Sequence, residues 1–147
     1  MKTLLPPALF VVFVVLMGVC AGFSSAPIAI YPYNFVGLAF VVIGLGVSIS
    51  AKNLFKKRNT NFMTFDEPSE LVTEGLFKYS RNPMYLGFAV ALLGFVVLFG
   101  ASVPLFALYV VFLLIVDKWY IALEEKWMLN KFGTAYEAYC KQVRKWL

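Results

Sequence analysis

Residues 82–116 read NPMYLGFAVALLGFVVLFGASVPLFALYVVFLLIV, a stretch without one Asp, Glu, Lys or Arg. Pro83 stands where a first helical turn tolerates proline. Gly100-Ala101-Ser102-Val103-Pro104 then breaks the apolar run into two arms. The pattern predicts a hairpin of two apolar helices. Its first arm, Pro83 to Phe99, has 17 residues. At 1.5 Å per residue that is roughly 25 Å, barely enough for a hydrocarbon core of about 30 Å. The second arm has 13 apolar residues, Pro104 to Val116, before Asp117. A helical pattern continues to about Lys131, so this helix is expected to leave the membrane while still helical. Asp117, Lys118, Glu124, Glu125 and Lys126 would then lie at headgroup level.

The rest of the 147-residue chain repeats this segregation. After Lys2 no charge occurs until Lys52. Of the 13 Lys and Arg, six fall between Lys52 and Arg81 and six between Lys118 and Lys145, and the eight acids lie in or beside the same stretches. Charged residues make up 14% of the chain and hydrophobic ones 61%, against about 25% charged in a soluble domain. The excess apolar surface needs lipid. The net charge of +5 belongs to two loops rather than to a nucleic-acid face, and basic residues beside spans mark the cytoplasmic side. Cys20 and Cys140 are expected on opposite sides of the bilayer, which leaves no disulfide.

Two further spans precede the hairpin. Leu4 to Phe23 is long enough to cross and is read as a retained span rather than a cleaved signal or a lipoprotein site at Cys20. Ser24 to Asn34 reads as a short outer loop with Tyr31 and Tyr33 at interface depth. In the second span, Phe35 to Phe55, Gly37, Gly44 and Ser48 recur on one face, the pattern of close helix packing. Gly44-Leu45-Gly46 is packing too, because no strand precedes it. The expected architecture is a single-domain, all-α membrane protein with four transmembrane helices at about 4–23, 35–55, 83–99 and 104–123. A cytoplasmic loop, 56–82, and a cytoplasmic tail, 124–147, complete it. The polar loop contains Glu70-Leu71-Val72-Thr73-Glu74-Gly75-Leu76-Phe77, whose apolar residues are expected to fold back onto the protein. Long loops in compact proteins are often functional.

An antiparallel hairpin brings its two open ends together. Tyr79-Ser80-Arg81-Asn82-Pro83-Met84-Tyr85 opens one arm and Glu124-Glu125 closes the other, so the two clusters should be neighbours at the interface. A spacing of seven puts Asp117 and Glu124 on one helical face, with Tyr120 between. Taken singly these residues have ordinary uses: Arg81 as a membrane anchor, Asn-Pro as a helix start, Glu124-Glu125-Lys126 as a solvated helix end. The chain has no His, which removes the commonest general base and metal ligand, and no metal site is expected.

The order of residues adds to this. Leu71 to Gly87, LVTEGLFKYSRNPMYLG, resembles the cofactor motif of the isoprenylcysteine carboxyl methyltransferase and phospholipid methyltransferase superfamily, LVT-x-G-x-(Y/F)-x-x-x-R-(H/N)-P-x-Y-x-G. The second block of that signature is matched by Glu124-Glu125, Leu129, Phe132-Gly133, Tyr136 and Tyr139. The likeness covers about Thr60 to Val143. It implies an integral membrane methyltransferase that uses S-adenosyl-L-methionine in a cytoplasmic pocket without a Rossmann domain. Carried over by position, Leu71, Val72, Phe77, Asn82, Pro83, Met84 and Tyr85 contact the cofactor, and Glu124 holds it. Arg81 and Glu125 brace the site, with a direct catalytic role open to both. Many relatives have His where this chain has Asn82, so a proton relay there is excluded. Where the prenylcysteine branch has an Arg for its substrate carboxylate, this chain has Tyr120, the substrate-facing candidate.

The acceptor stays open among a prenyl-thioether carboxylate, a lipid headgroup amine, a thiol or another small lipophile reached from the membrane. A small four-helix transporter is the alternative from another class. Such a protein normally needs an ionisable residue deep in the bilayer, and here Asp117 alone comes near. No retention, transit or lipidation motif is evident, which fits a prokaryotic plasma membrane.

Overall fold

A computed structural model of the chain describes residues 5–23, 27–29, 31–57 and 70–147. The expectations for Ser24 to Ala26, for Ile30 and for 58–69 of the polar loop fall outside these residues. The described elements are all helical. Helix α1 is Pro6–Phe23, α2 Val36–Lys57, α3 Pro83–Leu98 and α4 Val103–Ile115. A π-helical turn, Val116–Ile121, carries α4 directly into α5, Ala122–Phe132, and α6, Thr134–Gln142, follows.

Sequence chemistry accounts for the ends. Pro6 and Pro83 open α1 and α3, where a missing N–H costs nothing. Lys56 and Lys57 close α2, where cations suit the dipole. The hairpin turns through Gly100 and Ala101, both at positive φ (102° and 53°). The Gly100 carbonyl there accepts the Ile28 and Ala29 N–H groups at 2.8 and 3.0 Å. At the same end Asn34 donates its side-chain amide to the Leu98 carbonyl at 3.1 Å, satisfying an orphan acceptor of α3. Gly133, at φ 50°, separates α5 from α6.

Helix α3 is the shortest of the helices that flank one another in the apolar bundle save for α4, and it is the most central. It is flanked by α1, α2 and α4, and its buried positions run from Pro83 to Val96. Its companions supply the length it lacks. The continuous helix from Val103 to Phe132 spans 30 residues, roughly 45 Å at 1.5 Å per residue. It passes from the apolar region into the polar one, as the pattern through Lys131 predicts. The face of α2 bearing Gly37, Val41, Gly44, Ser48 and Ala51 is buried against α3. A β-carbon built on Gly94 would lie 2.6 Å from the Gly37 carbonyl oxygen, so the two backbones are in contact. Opposite, α1 inserts Phe10 and Phe13 between α3 and α4. Phe10 stacks on Phe88 with centroids 5.1 Å apart, and Phe13 meets Phe112 edge-on at 5.3 Å.

The outward surface is apolar. Val11, Val15 and Val19 on α1, Val42, Ile43 and Ile49 on α2, and Val110 and Leu114 on α4 are all exposed. A contiguous band of this kind is covered by lipid in an integral membrane protein. Tyr31 and Tyr33 stand exposed at one rim and Tyr79 and Trp119 at the other, matching the aromatic preference for headgroup depth. The start of α1 lies at the charged end of the bundle, where it borders the same cavity as α6.

Candidate functional site

The segment before α3 folds back onto α2. Val72 and Phe77 are buried with Ala51, and Leu54, Phe55, Leu76 and Met84 pack around them. Phe55 meets Phe77 edge-on at 4.9 Å. The LVTEGLF piece is therefore held by burial of its apolar residues, the behaviour expected of it in a polar loop. A 3-10 turn at Gly75–Lys78 then leads to Ser80, whose buried hydroxyl accepts the Asn82 N–H at 3.1 Å.

Asn82 occupies the N-cap position of α3 but makes no cap bond. Its side-chain amide donates instead to the Lys145 carbonyl at 3.1 Å. Pro83 has no N–H, and the first intrahelical bond runs from Leu86 N to Asn82 O at 3.0 Å. The backbone N–H groups ahead of Leu86 are therefore not used within the helix, and the positive end of the helix dipole opens toward the cavity. Ser48 on α2 donates to the Met84 carbonyl at 2.7 Å, tying this turn to the neighbouring helix.

Helix α5 brings the acids. The Tyr85 hydroxyl donates to Glu124 Oε1 at 2.7 Å. Glu125 Oε1 lies 3.0 Å from Arg81 Nη2. That contact is an ion pair without hydrogen-bond alignment, for Glu125 Oε1 and Arg81 Nε both stay buried with no hydrogen-bond partner. Buried polar atoms without hydrogen bonds, here one on each partner of the ion pair, are costly unless a ligand uses them.

Asp117 and Glu124 do not share a face. The π turn between them inserts one residue into the helical count, rotating α5 by about 100° relative to a regular helix. Asp117 therefore faces the C-terminal segment, where Lys145 and Trp146 meet it, while Glu124 faces Tyr85.

These groups line a cavity of about 500 Å³ at the charged end. Val72, Phe77, Arg81, Asn82, Pro83, Met84, Tyr85, Glu124 and Glu125 all border it. Leu71 and Tyr120 do not. Leu71 packs with Tyr136, Tyr139 and Val143 in a small separate cluster. Tyr120 is buried in the main core, its ring 6.4 Å from that of Tyr85, one layer behind the wall. Several lining residues were not among the sequence candidates. Trp127 and Met128 follow Glu124 by three and four residues and so share its face of α5. That spacing was available as a signal. Lys52 lies one turn beyond Ser48 on the buried face of α2 and was open to the same inference. Leu5, Pro6 and Pro7 at the start of α1 had no local signal at all.

Tyr136 and Tyr139 of α6 close the cavity on the side away from the apolar bundle. The Tyr139 hydroxyl donates to the Phe77 carbonyl at 2.6 Å, joining the tail to the folded-back loop. Burial pushes its pKa up to about 12, with the Arg81 charge acting against the shift and Cys140 adding to it. Burial raises Tyr136 as well, reinforced by the Glu125 carboxylate and Cys140. Both are neutral hydroxyls near pH 7.

The comparisons fall on this region. The family model described as phospholipid methyltransferase matches residues 33–135, from the start of α2 past the α5 acids. Protein-S-isoprenylcysteine O-methyltransferase of Schizosaccharomyces pombe is 37% identical over 76 residues, 50% of this chain and 30% of that protein. The chain therefore corresponds to under a third of that curated relative. An uncharacterised protein of Haemophilus influenzae is 34% identical over 64 residues, 44% of this chain and all of that protein. No solved structure matches the chain significantly. With the match extending over well more than half its length and enclosing both arms of the site, the chain belongs to the phospholipid methyltransferase family of integral membrane methyltransferases.

Proposed function

We propose that the protein transfers a methyl group from S-adenosyl-L-methionine to a lipophilic or amphipathic acceptor at the cytoplasmic face of the membrane. The observation that carries this is the Arg81–Glu125 ion pair, with Arg81 Nε and Glu125 Oε1 each buried without a hydrogen-bond partner, at the wall of a cavity that Glu124 also lines. The donor is a zwitterion with an added sulfonium charge. It needs carboxylates and aromatic faces for its cationic groups and N–H donors for its carboxylate. The cavity offers Glu124 and Glu125 for the first, Tyr85, Phe77 and Tyr136 as ring surfaces, and Arg81 with the first-turn N–H groups of α3 for the last. The residues present fit the group.

When bound, S-adenosyl-L-methionine supplies an electrophilic methyl carbon for in-line displacement. The chain's own residues bind, orient and exclude water, since such a transfer depends on alignment more than on a nucleophilic side chain. Glu124, fixed by Tyr85, orients the donor, with Val72, Phe77, Pro83 and Met84 as apolar walls and Asn82 supporting the turn. Arg81 and Glu125 act at the cavity wall. Neutral Tyr136 and Tyr139 keep solvent out of the polar end. Toward the bilayer the lining changes to Leu5 and Pro6 at the start of α1, Leu45 and Ile49 on α2, and Phe88 on α3. These surround the side from which an apolar acceptor would approach. Tyr120, behind Tyr85, shapes the acceptor side through that ring. The charge-rich end is read as cytoplasmic by the positive-inside rule, which also puts both termini where the donor is made, in a prokaryotic plasma membrane.

The test has two stages. Purified protein titrated calorimetrically with S-adenosylhomocysteine should bind with one-site stoichiometry, and no binding by folded protein would overturn the proposal. Radiolabelled S-adenosyl-L-methionine supplied to membranes should then give label in the organic phase. The chemical form of that label distinguishes a carboxyl methyl ester, labile to base, from an N-methyl or S-methyl product, which is stable.

A further inference from the structure

We propose that Asp117 is a positioning residue for the site, acting through the last five residues of the chain. The role rests on the methyltransferase reading above. Asp117 does not line the cavity. Its Oδ1 lies 2.8 Å from Lys145 Nζ and accepts the Trp146 indole N–H at 3.1 Å. Lys118, 3.6 Å from Oδ2 and largely exposed, adds only a solvated neighbour. Two side chains of the strap 143–147 thus converge on one carboxylate, while Trp146 rests against the main core.

The strap's backbone turns the other way. Val143 leaves α6 in an extended conformation, φ −123° and ψ 132°. The Arg144 carbonyl then accepts the Arg81 N–H at 3.0 Å, and the Lys145 carbonyl accepts the Asn82 side-chain amide at 3.1 Å. A chain of direct contacts therefore runs from Asp117 through residues 144–146 to Arg81 and Asn82, the two residues that open α3. Asn82 is diverted from its ordinary N-cap bond by this strap. The first-turn N–H groups of α3 stay uncapped by their own sequence, as an anion-binding helix start requires.

The π turn gives the arrangement its geometry. In a regular helix Asp117 and Glu124 would point the same way, and one carboxylate could not serve the strap while the other faces Tyr85. The inserted residue at Val116–Ile121 separates the two duties.

Three variants test the role. Lys145→Met removes the ammonium but keeps the carbonyl that Asn82 uses, Lys145→Arg restores a cation, and Asp117→Asn removes the charge. Two measurements are made on each full chain in detergent: the rate of tryptic cleavage after Arg144, and affinity for S-adenosylhomocysteine by calorimetry. Asp117→Asn and Lys145→Met should speed cleavage and weaken the ligand, each by roughly tenfold. Lys145→Arg should stay near the parent in both. Saturating S-adenosylhomocysteine should slow cleavage of the parent, because coupling between ligand and strap is reciprocal. If the strap loosens while affinity is unchanged, Asp117 merely fastens the tail and the positioning role is overturned. Unchanged cleavage overturns the latch itself. A parent that bound no ligand, with variants still cleaved faster, would remove the methyltransferase reading and leave the latch standing. If Asp117→Asn does not fold, the two Lys145 variants decide.

Discussion

Gly44 and Gly46 are two residues apart on α2, and alanine should act on them in opposite directions. A β-carbon on Gly44 would lie 2.5 Å from the Gly87 carbonyl oxygen and 2.9 Å from Ala91 Cα, and closer still to the Ala91 nitrogen. All three atoms are backbone of α3, so no side-chain rotation relieves the contact. Restoring an ordinary separation requires α2 and α3 to move apart by about 1 Å. A gap of that size forfeits up to about half of each dispersion contact along the seam. It also stretches the Ser48 to Met84 hydrogen bond, now 2.7 Å, at the cavity floor. Overpacking of this kind costs about 1–3 kcal/mol, and a weakened hydrogen bond adds about 1 kcal/mol. Gly44→Ala is therefore expected to lose roughly 2–4 kcal/mol and to bind S-adenosylhomocysteine more weakly. Gly46 has nothing within 4 Å of the same built atom. Gly46→Ala should be neutral or should stabilise by up to about 1 kcal/mol through helix propensity. Equilibrium unfolding in mixed micelles, followed by circular dichroism, measures both. If Gly44→Ala proves as stable as Gly46→Ala, the close crossing of α2 and α3 is wrong.

Three further outcomes are expected. Tyr139→Phe leaves the buried Phe77 carbonyl without its 2.6 Å donor and should lower stability by about 1–3 kcal/mol at neutral pH. Because the folded pKa of Tyr139 is raised from the ordinary 10 to about 12, its contribution is complete below pH 10 and is lost as pH rises through that window. Unfolding titrations should show this decline in the parent and a smaller one in Tyr139→Phe. Glu124→Gln keeps a partner for the Tyr85 hydroxyl but removes the charge. Calorimetry should show S-adenosylhomocysteine affinity down by at least about tenfold with the unfolding midpoint nearly unchanged; equal affinity would show that the carboxylate does not face the ligand. Asn34→Ala removes the 3.1 Å bond to the Leu98 carbonyl at the far end of α3. It should cost about 1 kcal/mol without altering ligand affinity, a control that separates fold from site.

The division between sequence and structure follows the range of the interactions. Local regularities were readable directly. The uncharged run from Asn82 to Val116, its Gly-Pro break and the clustering of charge determine a membrane hairpin, because burial of apolar surface and exclusion of charge from lipid act residue by residue. The small-residue face of α2 announced a close helix contact, and the structure supplied α3 as its partner. Nine of the site candidates carried over from the two motif blocks border the cavity, since both blocks lie at the open end of one hairpin. Tertiary structure alone decided the rest. Tyr120 and Leu71 came from aligned motif positions, yet Tyr120 is buried in the main core and Leu71 packs in a separate cluster with Tyr136, Tyr139 and Val143. Trp127 and Met128 needed only helical spacing, but Leu5 and Pro6 reach the cavity through packing of α1 against helices distant in the chain. The equal facing of Asp117 and Glu124 failed because a single π turn, which no residue pattern announces, rotates one against the other. The diversion of Asn82 from its helix cap to the Lys145 carbonyl is likewise invisible in sequence. It joins residues 63 positions apart, and only the folded chain brings that acceptor within reach.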